Sequence, residues 1–182
     1  PIPAPDARLT AKVIGAVAAK KVKPMKKLTL IRHAKSSWKI ADLEDSWRPL
    51  SPRGYRQLTS LAPHIPHQGL WLVSPAVRTY ATAHVLRRLA GLPMGGLLLD
   101  ERLYESCGHN LLSLLQRLDD VDDEVTLIGH SPGLEELAQL LCPEYRQPLG
   151  TGELVALELN VEEWRACRAD CGRLLLHIAS HE

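Results

Sequence analysis

Two histidines and two arginines stand out in this 182-residue chain for the chemistry their side chains could do together. Arg32 and His33 are adjacent at the end of an apolar run. Arg78 lies in Ser74-Pro75-Ala76-Val77-Arg78-Thr79, and His130 in Gly129-His130-Ser131-Pro132-Gly133. A guanidinium offers a planar fork of donors, stays charged at any relevant pH and matches the oxygens of a phosphate. An imidazole can attack phosphorus or donate a hydrogen bond to its oxygens. Each residue alone has a plain structural explanation. A strand-end histidine is more often packed than catalytic, and an arginine in a first helical turn is usually a surface charge. Joint placement decides between these readings, and placement depends on the elements that carry the four residues.

From residue 27 onward, strand and helix patterns alternate. Strand-like runs cover 27–32, 70–73, 97–99, 125–128, 154–159 and 173–178; helical patterns cover 52–62, 75–90, 109–118 and 132–141. Several of the strand runs are almost wholly apolar, as strands covered on both faces are. The alternation predicts an α/β fold, a three-layer α/β/α sandwich with a mostly parallel sheet. The join between the last two strands, around Trp164, reads equally as a hairpin or a helix. Ser51-Pro52, Ser74-Pro75 and Ser131-Pro132 each precede a helical pattern, so each serine is expected to cap a helix and each proline to fill its first position. Ligands of an open α/β sheet sit beyond the carboxyl ends of the strands, beside helix N-termini whose free N–H groups favour an anion. Residues 32–38, 74–79 and 129–133 fall at that edge. There Arg32, His33, Arg78 and His130 are expected to meet around one phosphate. His64, His67, His84, His109, His177 and His181 lack such a setting and read as surface or packing residues.

Arg32-His33-Ala34, with Lys35-Ser36-Ser37-Trp38, Arg48-Pro49-Leu50 and Arg53-Gly54, resembles the leading motif of the histidine phosphatase superfamily. Alanine replaces the glycine of that family's Arg-His-Gly, and the set looks like its SixA-type phosphohistidine phosphatase branch. Ser74-Pro75-x-x-Arg78-Thr79 with Thr82-Ala83 resembles the second motif, with Ala81 in place of a common Gln or Glu. Leu103-Tyr104-Glu105 and residues 129–137 resemble later blocks. Ser131 stands where the acid phosphatase branch has an acidic residue, which argues against that branch. The resemblance spans residues 26–159. It implies a phosphoglycerate mutase-like fold, a four-residue phosphate pocket and a phosphohistidine intermediate.

The expected mechanism is two-step phosphoryl transfer. His33 is the nucleophile, kept unprotonated by the like charges of Arg32 and Arg78 and held in one tautomer by a backbone carbonyl. Arg32, Arg78 and His130 hold the non-bridging oxygens. Glu105 is the first candidate for the leaving group's acid and Glu101 the second. In the 36–49 loop, Ser36 and Arg48 are expected to contact substrate, although Trp38, Trp47 and Arg48 would serve equally well to pack it on the body. No long insertion is available as a lid, so an open site for a phosphorylated protein or a small phosphate ester is expected. No cofactor and no metal are called for. The reading is a phosphatase acting on phosphohistidine in a protein. Its alternatives are a small-molecule phosphomonoesterase or mutase, a non-catalytic phosphate-binding protein, and a serine hydrolase. The last rests on Gly-x-Ser-x-Gly at Ser131, followed in order by Asp170 and His177. Against it, the residue after the nucleophile should donate an N–H to the oxyanion, and Pro132 has none.

Composition bounds the rest. At 45% hydrophobic and 24% charged residues, the chain is not disordered throughout. No apolar run approaches the roughly 18–20 residues of a membrane helix. The net charge of +1 conceals an asymmetry. Residues 1–27 carry seven Lys or Arg and one Asp, so the remainder is mildly acidic, which is not a nucleic-acid-binding balance. Residues 1–24 are expected to be a basic extension upstream of a natural start at Met25, and 25–182 a single domain. Cys107, Cys142, Cys167 and Cys171 read as reduced thiols of a cytoplasmic protein, the Cys167/Cys171 spacing being a weak metal signal. A monomer without nucleic-acid or membrane partners is expected.

Overall fold

The computed structural model describes residues 25–180. The expected extension over 1–24 and the surface reading of His181 lie outside the described residues. Strand β1 (Lys26–Arg32) sends Leu28 and Leu30 to one face and Ile31 to the other. Strand β2 (Leu70–Val73) divides likewise, with Leu72 on the first face and Trp71 and Val73 on the second. This period of two follows from the pleat, and it builds two cores, one on each side of the sheet. Strands β3 (Leu97–Leu99), β4 (Glu124–Gly129), β5 (Leu154–Leu159) and β6 (Gly172–Ile178) complete the order β3-β2-β4-β1-β5-β6. The first four are parallel, β5 pairs antiparallel with β1, and β6 pairs antiparallel with β5.

Helices α1 (Pro52–Leu61) and α2 (Val77–Leu89) cover the face of Ile31 and Val73 with Leu58, Leu61, Ala83 and Leu86. Helices α3 (Gly108–Leu115) and α4 (Gly133–Leu141) cover the face of Leu28 and Leu30 with Leu111, Leu115, Leu134 and Leu137. The result is the expected three-layer sandwich. The join left open around Trp164 is a hairpin connection carrying one short 3-10 turn, Trp164–Ala166. Trp164 is fully buried there, its Nε1–H donating to the Asp122 carbonyl at 2.8 Å. Lys26 is also buried and reaches Asp120 and Asp123 at 3.0 and 2.8 Å, so its charge belongs to the body rather than to a basic leader. No helix among the described residues is long and apolar enough to cross a membrane.

Only one of the three Ser-Pro pairs caps a helix. Ser51 Oγ accepts from the Gly54 N–H at 3.1 Å, with Pro52 at the first position of α1. α2 begins after Ala76 and α4 after Pro132, neither with a side-chain cap. The hydroxyls of Ser74 and Ser131 are engaged elsewhere, the first by His130 and the second by the Leu149 carbonyl.

Candidate active site

Register brings the site together. Arg32 ends β1 opposite Gly129 of β4, and Val73 ends β2 opposite Ile128. The next residues after the three strands, His33, Ser74 and His130, therefore leave the sheet within one residue of the same level. Backbone bonds continue the ladder there, from His33 N–H to Gly129 O and from Ser74 N–H to Ile128 O, both at 3.0 Å. α2 is tied to the same point. Thr82 Oγ1 accepts from the Ala34 N–H at 3.0 Å and donates to the Arg78 carbonyl at 2.7 Å. α1 approaches so closely that a Cβ on Gly54 would collide with the Lys35 carbonyl oxygen.

His33 is 8% exposed. Its Nδ1–H donates to the Ala34 carbonyl at 2.8 Å, an oxygen that can only accept, which leaves Nε2 with its lone pair. The Arg78 Nε–H points at that nitrogen from 3.3 Å. Burial lowers the His33 pKa to about 4, and the charges of Arg78 and Arg32 add to it against the opposing Ala34 bond. The sequence reading assigned this shift to like charge; desolvation is the larger cause. His130 stands beside it, the two ring centroids 5.3 Å apart. Its Nε2 lies 2.7 Å from Ser74 Oγ and its Nδ1 3.4 Å from an Arg78 amino group. Burial first, then His33 and Arg78, lower its pKa to about 3. Tyr104 meets the His130 ring edge-on at 5.3 Å.

Arg78 is buried, and its outer nitrogens are both engaged by Asp45, one with the carbonyl oxygen at 2.6 Å and one with the carboxylate at 2.8 Å. Tyr104 also donates to that carboxylate, at 3.0 Å. Desolvation would raise the Asp45 pKa, but the bonds from Arg78 and Tyr104 outweigh it and hold the carboxyl below its usual range. Arg32 donates to the Leu149 carbonyl at 2.9 Å and is near enough for its charge to act on both imidazoles. Its Nε is buried with no hydrogen-bond partner among the described residues. His33, Asp45, Arg78, Tyr104, Glu105 and His130 are among the residues lining a pocket of about 400 Å³.

Other expected contributors fall elsewhere. Arg48 is buried under its own loop, donating to the carbonyls of Ile40 and Ala41 at 3.0 and 3.2 Å and stacking on Trp38 at 3.9 Å. Ser36 forms an isolated antiparallel bridge with Leu50. Neither lines the pocket. The two shape the loop that delivers Asp45, because the outer nitrogens of the buried guanidinium find their acceptors in loop carbonyls, its Nε having none among the described residues. That loop crosses Arg78, where an uncovered site was expected. Glu105 is exposed on the pocket rim with φ 50°, while Glu101, in the short turn Glu101–Leu103, does not line it. The serine-hydrolase constellation does not assemble. Both ring nitrogens of His177 are engaged, by Gln147 and Glu153, and Ser131 donates to Leu149 at 3.2 Å. Among the described residues no group of three or more His, Cys, Asp or Glu could hold a metal ion.

Asp45, Tyr104 and Ser74 are the site residues that the sequence reading gave no part in the chemistry. Asp45 gave a weak signal, three residues before Arg48 in a loop already singled out, but nothing local points it at Arg78.

Two neutral imidazoles, His33 buried and His130 half-buried, have a cost in acid. The unfolded chain takes up protons as pH falls through about 6.5 while the folded site does not, so stability is complete above that pH and is lost towards pH 4. The drop of the His33 pKa from 6.5 to about 4 corresponds to about 3 kcal/mol. Denaturant midpoints measured from pH 7 to 4 should fall steeply in the native protein and distinctly less in His33→Asn. Equal slopes would show that His33 is protonated in the folded state.

Residues 28–111 match the family model described as histidine phosphatase superfamily (branch 1). A protein from Nakamurella multipartitia, named provisionally as the phosphohistidine phosphatase SixA, superposes with a TM-score of 0.70 at 21% identity, covering 85% of this chain and 96% of that one. The protein histidine phosphatase SixA complexed with tungstate superposes at 0.69 and 21% identity, covering 84% and 96%. A mycobacterial glucosyl-3-phosphoglycerate phosphatase superposes at 0.56 and 19% identity, covering 86% and 100%. At these identities the likenesses carry the fold. No curated protein matches the chain.

Proposed function

We propose that this chain, a member of the histidine phosphatase superfamily, removes a phosphoryl group from phosphohistidine in a protein by way of a phosphorylated His33. One observation carries the reading: the lone pair of a neutral, buried His33 Nε2 beside Arg78 and His130. In the first step Nε2 attacks phosphorus, the substrate's P–N bond breaks, and the leaving imidazole takes up a proton. In the second, water attacks phosphorus, the P–Nε2 bond breaks, and His33 returns to its neutral form as phosphate leaves. Arg32, Arg78 and His130 hold the three non-bridging oxygens throughout, and preorganised charge of this kind is usually the largest catalytic contribution. The substrate assignment rests on the leaving group. Arg78 and Tyr104 keep Asp45 ionised, so it has no proton to give near neutral pH. The remaining carboxylate, Glu105, is exposed on the rim. A P–N bond needs little acid assistance, whereas a P–O ester with a poor leaving group needs more. We place the enzyme in the cytoplasm as a monomer, with its four thiols unpaired.

The test is a rate comparison between a phosphohistidine-bearing protein and a panel of sugar phosphates and aryl phosphates. The phosphoprotein should be turned over at least about tenfold faster per unit kcat/KM, a difference of about 1.4 kcal/mol in transition-state stabilisation. Faster turnover of a sugar phosphate would move the substrate to the small-molecule class. Phosphate binding without turnover of any substrate would make this a binding protein.

A further inference from the structure

The two pocket imidazoles must do opposite things with the same ring. His33 needs a bare nitrogen facing phosphorus, and the Ala34 carbonyl, an acceptor only, enforces that by holding the proton at Nδ1. His130 needs an N–H facing a phosphate oxygen. The nitrogen it turns towards Arg78, which lines the same pocket, is Nδ1, with Nε2 directed at Ser74. A neutral imidazole carries one proton, so an Nδ1–H donor requires Nε2 to be bare and to accept a hydrogen bond. A carbonyl at that position would forbid it. A hydroxyl permits it, because it both donates and accepts.

Ser74 is completely buried at the end of β2, with Oγ 2.7 Å from His130 Nε2. Its backbone is fixed on both sides. The N–H donates to Ile128 O at 3.0 Å, and the carbonyl accepts from Thr79 Oγ1 at 2.7 Å. Only the hydroxyl hydrogen is left to rotate. Against the Arg78 amino group at 3.4 Å, His130 Nδ1 must accept, and Nε2–H then donates to Ser74. Against a phosphate oxygen Nδ1 must donate, and Ser74 then donates to Nε2. We propose that Ser74 is a positioning residue whose reversible hydroxyl sets the tautomer of His130, so that His130 offers its proton to phosphate while remaining neutral. The inference deepens the phosphatase reading and rests on it for the role of His130.

The experiment is 15N-histidine NMR of the full chain, with inorganic phosphate and then tungstate as the bound anion. In the native protein, saturation with either anion should give a His130 with protonated Nδ1 and bare Nε2. In Ser74→Ala, Nε2 should stay protonated, affinity for phosphate should fall about tenfold, and kcat should fall about a hundredfold, the lower end of what one preorganised donor contributes. A native His130 that keeps its Nε2 proton with anion bound overturns the proposal, and that measurement needs no variant. A folded Ser74→Ala protein with bare Nε2 and unchanged kcat overturns it as well. Both spectra are read without turnover. A protein that binds phosphate through the expected tautomer but hydrolyses nothing therefore sinks the phosphatase reading and leaves this one standing.

Discussion

Replacing His33 with alanine is expected to reduce turnover by about 10⁴-fold or more, the scale seen when a covalent nucleophile is lost, and to abolish trapping of labelled phosphate on the protein. The expectation follows from how little else in the pocket can substitute. Of the two imidazoles, only His33 has its proton held away from the pocket by a carbonyl. His130 faces Arg78 through Nδ1 and, in the proposed mechanism, serves as a donor. Asp45 is bound at both its carbonyl and its carboxylate by Arg78. The variant should fold, since the substitution removes a side chain whose one strong bond goes to the next residue's own carbonyl, and it should gain stability relative to the native protein between pH 6.5 and 4. Rapid-quench labelling with a phosphohistidine substrate, followed by alkaline work-up that preserves P–N bonds, reads the result. Label retained on the alanine variant would transfer the nucleophile to His130.

The second large effect is at Arg78. Arg78→Ala should lower kcat/KM by about 10²–10³-fold, and Arg78→Lys should recover little of it. The guanidinium addresses three groups from one plane: His33 through Nε, His130 and Asp45 through its outer nitrogens. A lysine ammonium can occupy one of those positions but cannot span them. Loss of Arg78 also removes a charge that lowers both histidine pKa values, so the acid limb of the rate profile should move upward in pH. The partner of Arg78 should behave oppositely. Asp45 holds the fork that a phosphate would use, so Asp45→Asn should bind tungstate or phosphate several-fold more tightly, as a competing full charge is replaced by a neutral amide. Weaker anion binding in Asp45→Asn would mean instead that the carboxylate's main role is to aim the guanidinium.

The fold was legible because its signals are local. Each strand run read from the sequence is a strand within one residue at either end, and each helical pattern overlaps a helix, because apolar periods of two and 3.6 are set by neighbours along the chain. His33, Arg78 and His130 were legible as neighbours for a related reason, whereas Arg32, expected with them, donates to the Leu149 carbonyl and is not among the residues lining their pocket. Once three strands are parallel, their carboxyl ends share an edge, and the residues just beyond them converge whatever the details. The Ser-Pro pairs show where local reasoning stops. Ser51 caps a helix as its type predicts; Ser74 and Ser131, of the same type in the same dipeptide, do not. A hydroxyl bonds whichever partner packing places nearest, and for Ser74 that is a ring 56 residues away.

The loop between β1 and α1 makes the same point for charge. Ser36 and Arg48 looked like substrate contacts because they sit near the site in sequence, yet Arg48 turns inward to loop carbonyls and Trp38. Asp45, which had no part in the expected chemistry, bonds Arg78 across 33 residues. Residue order alone determined which strands exist, how they alternate with helices and which strand ends share one sheet edge, since those depend on periodicity and connection. The proton on each imidazole, the occupant of the arginine fork and the inward turn of Arg48 were decided only in three dimensions, because hydrogen bonds between side chains distant in sequence depend on which groups meet once the layers close.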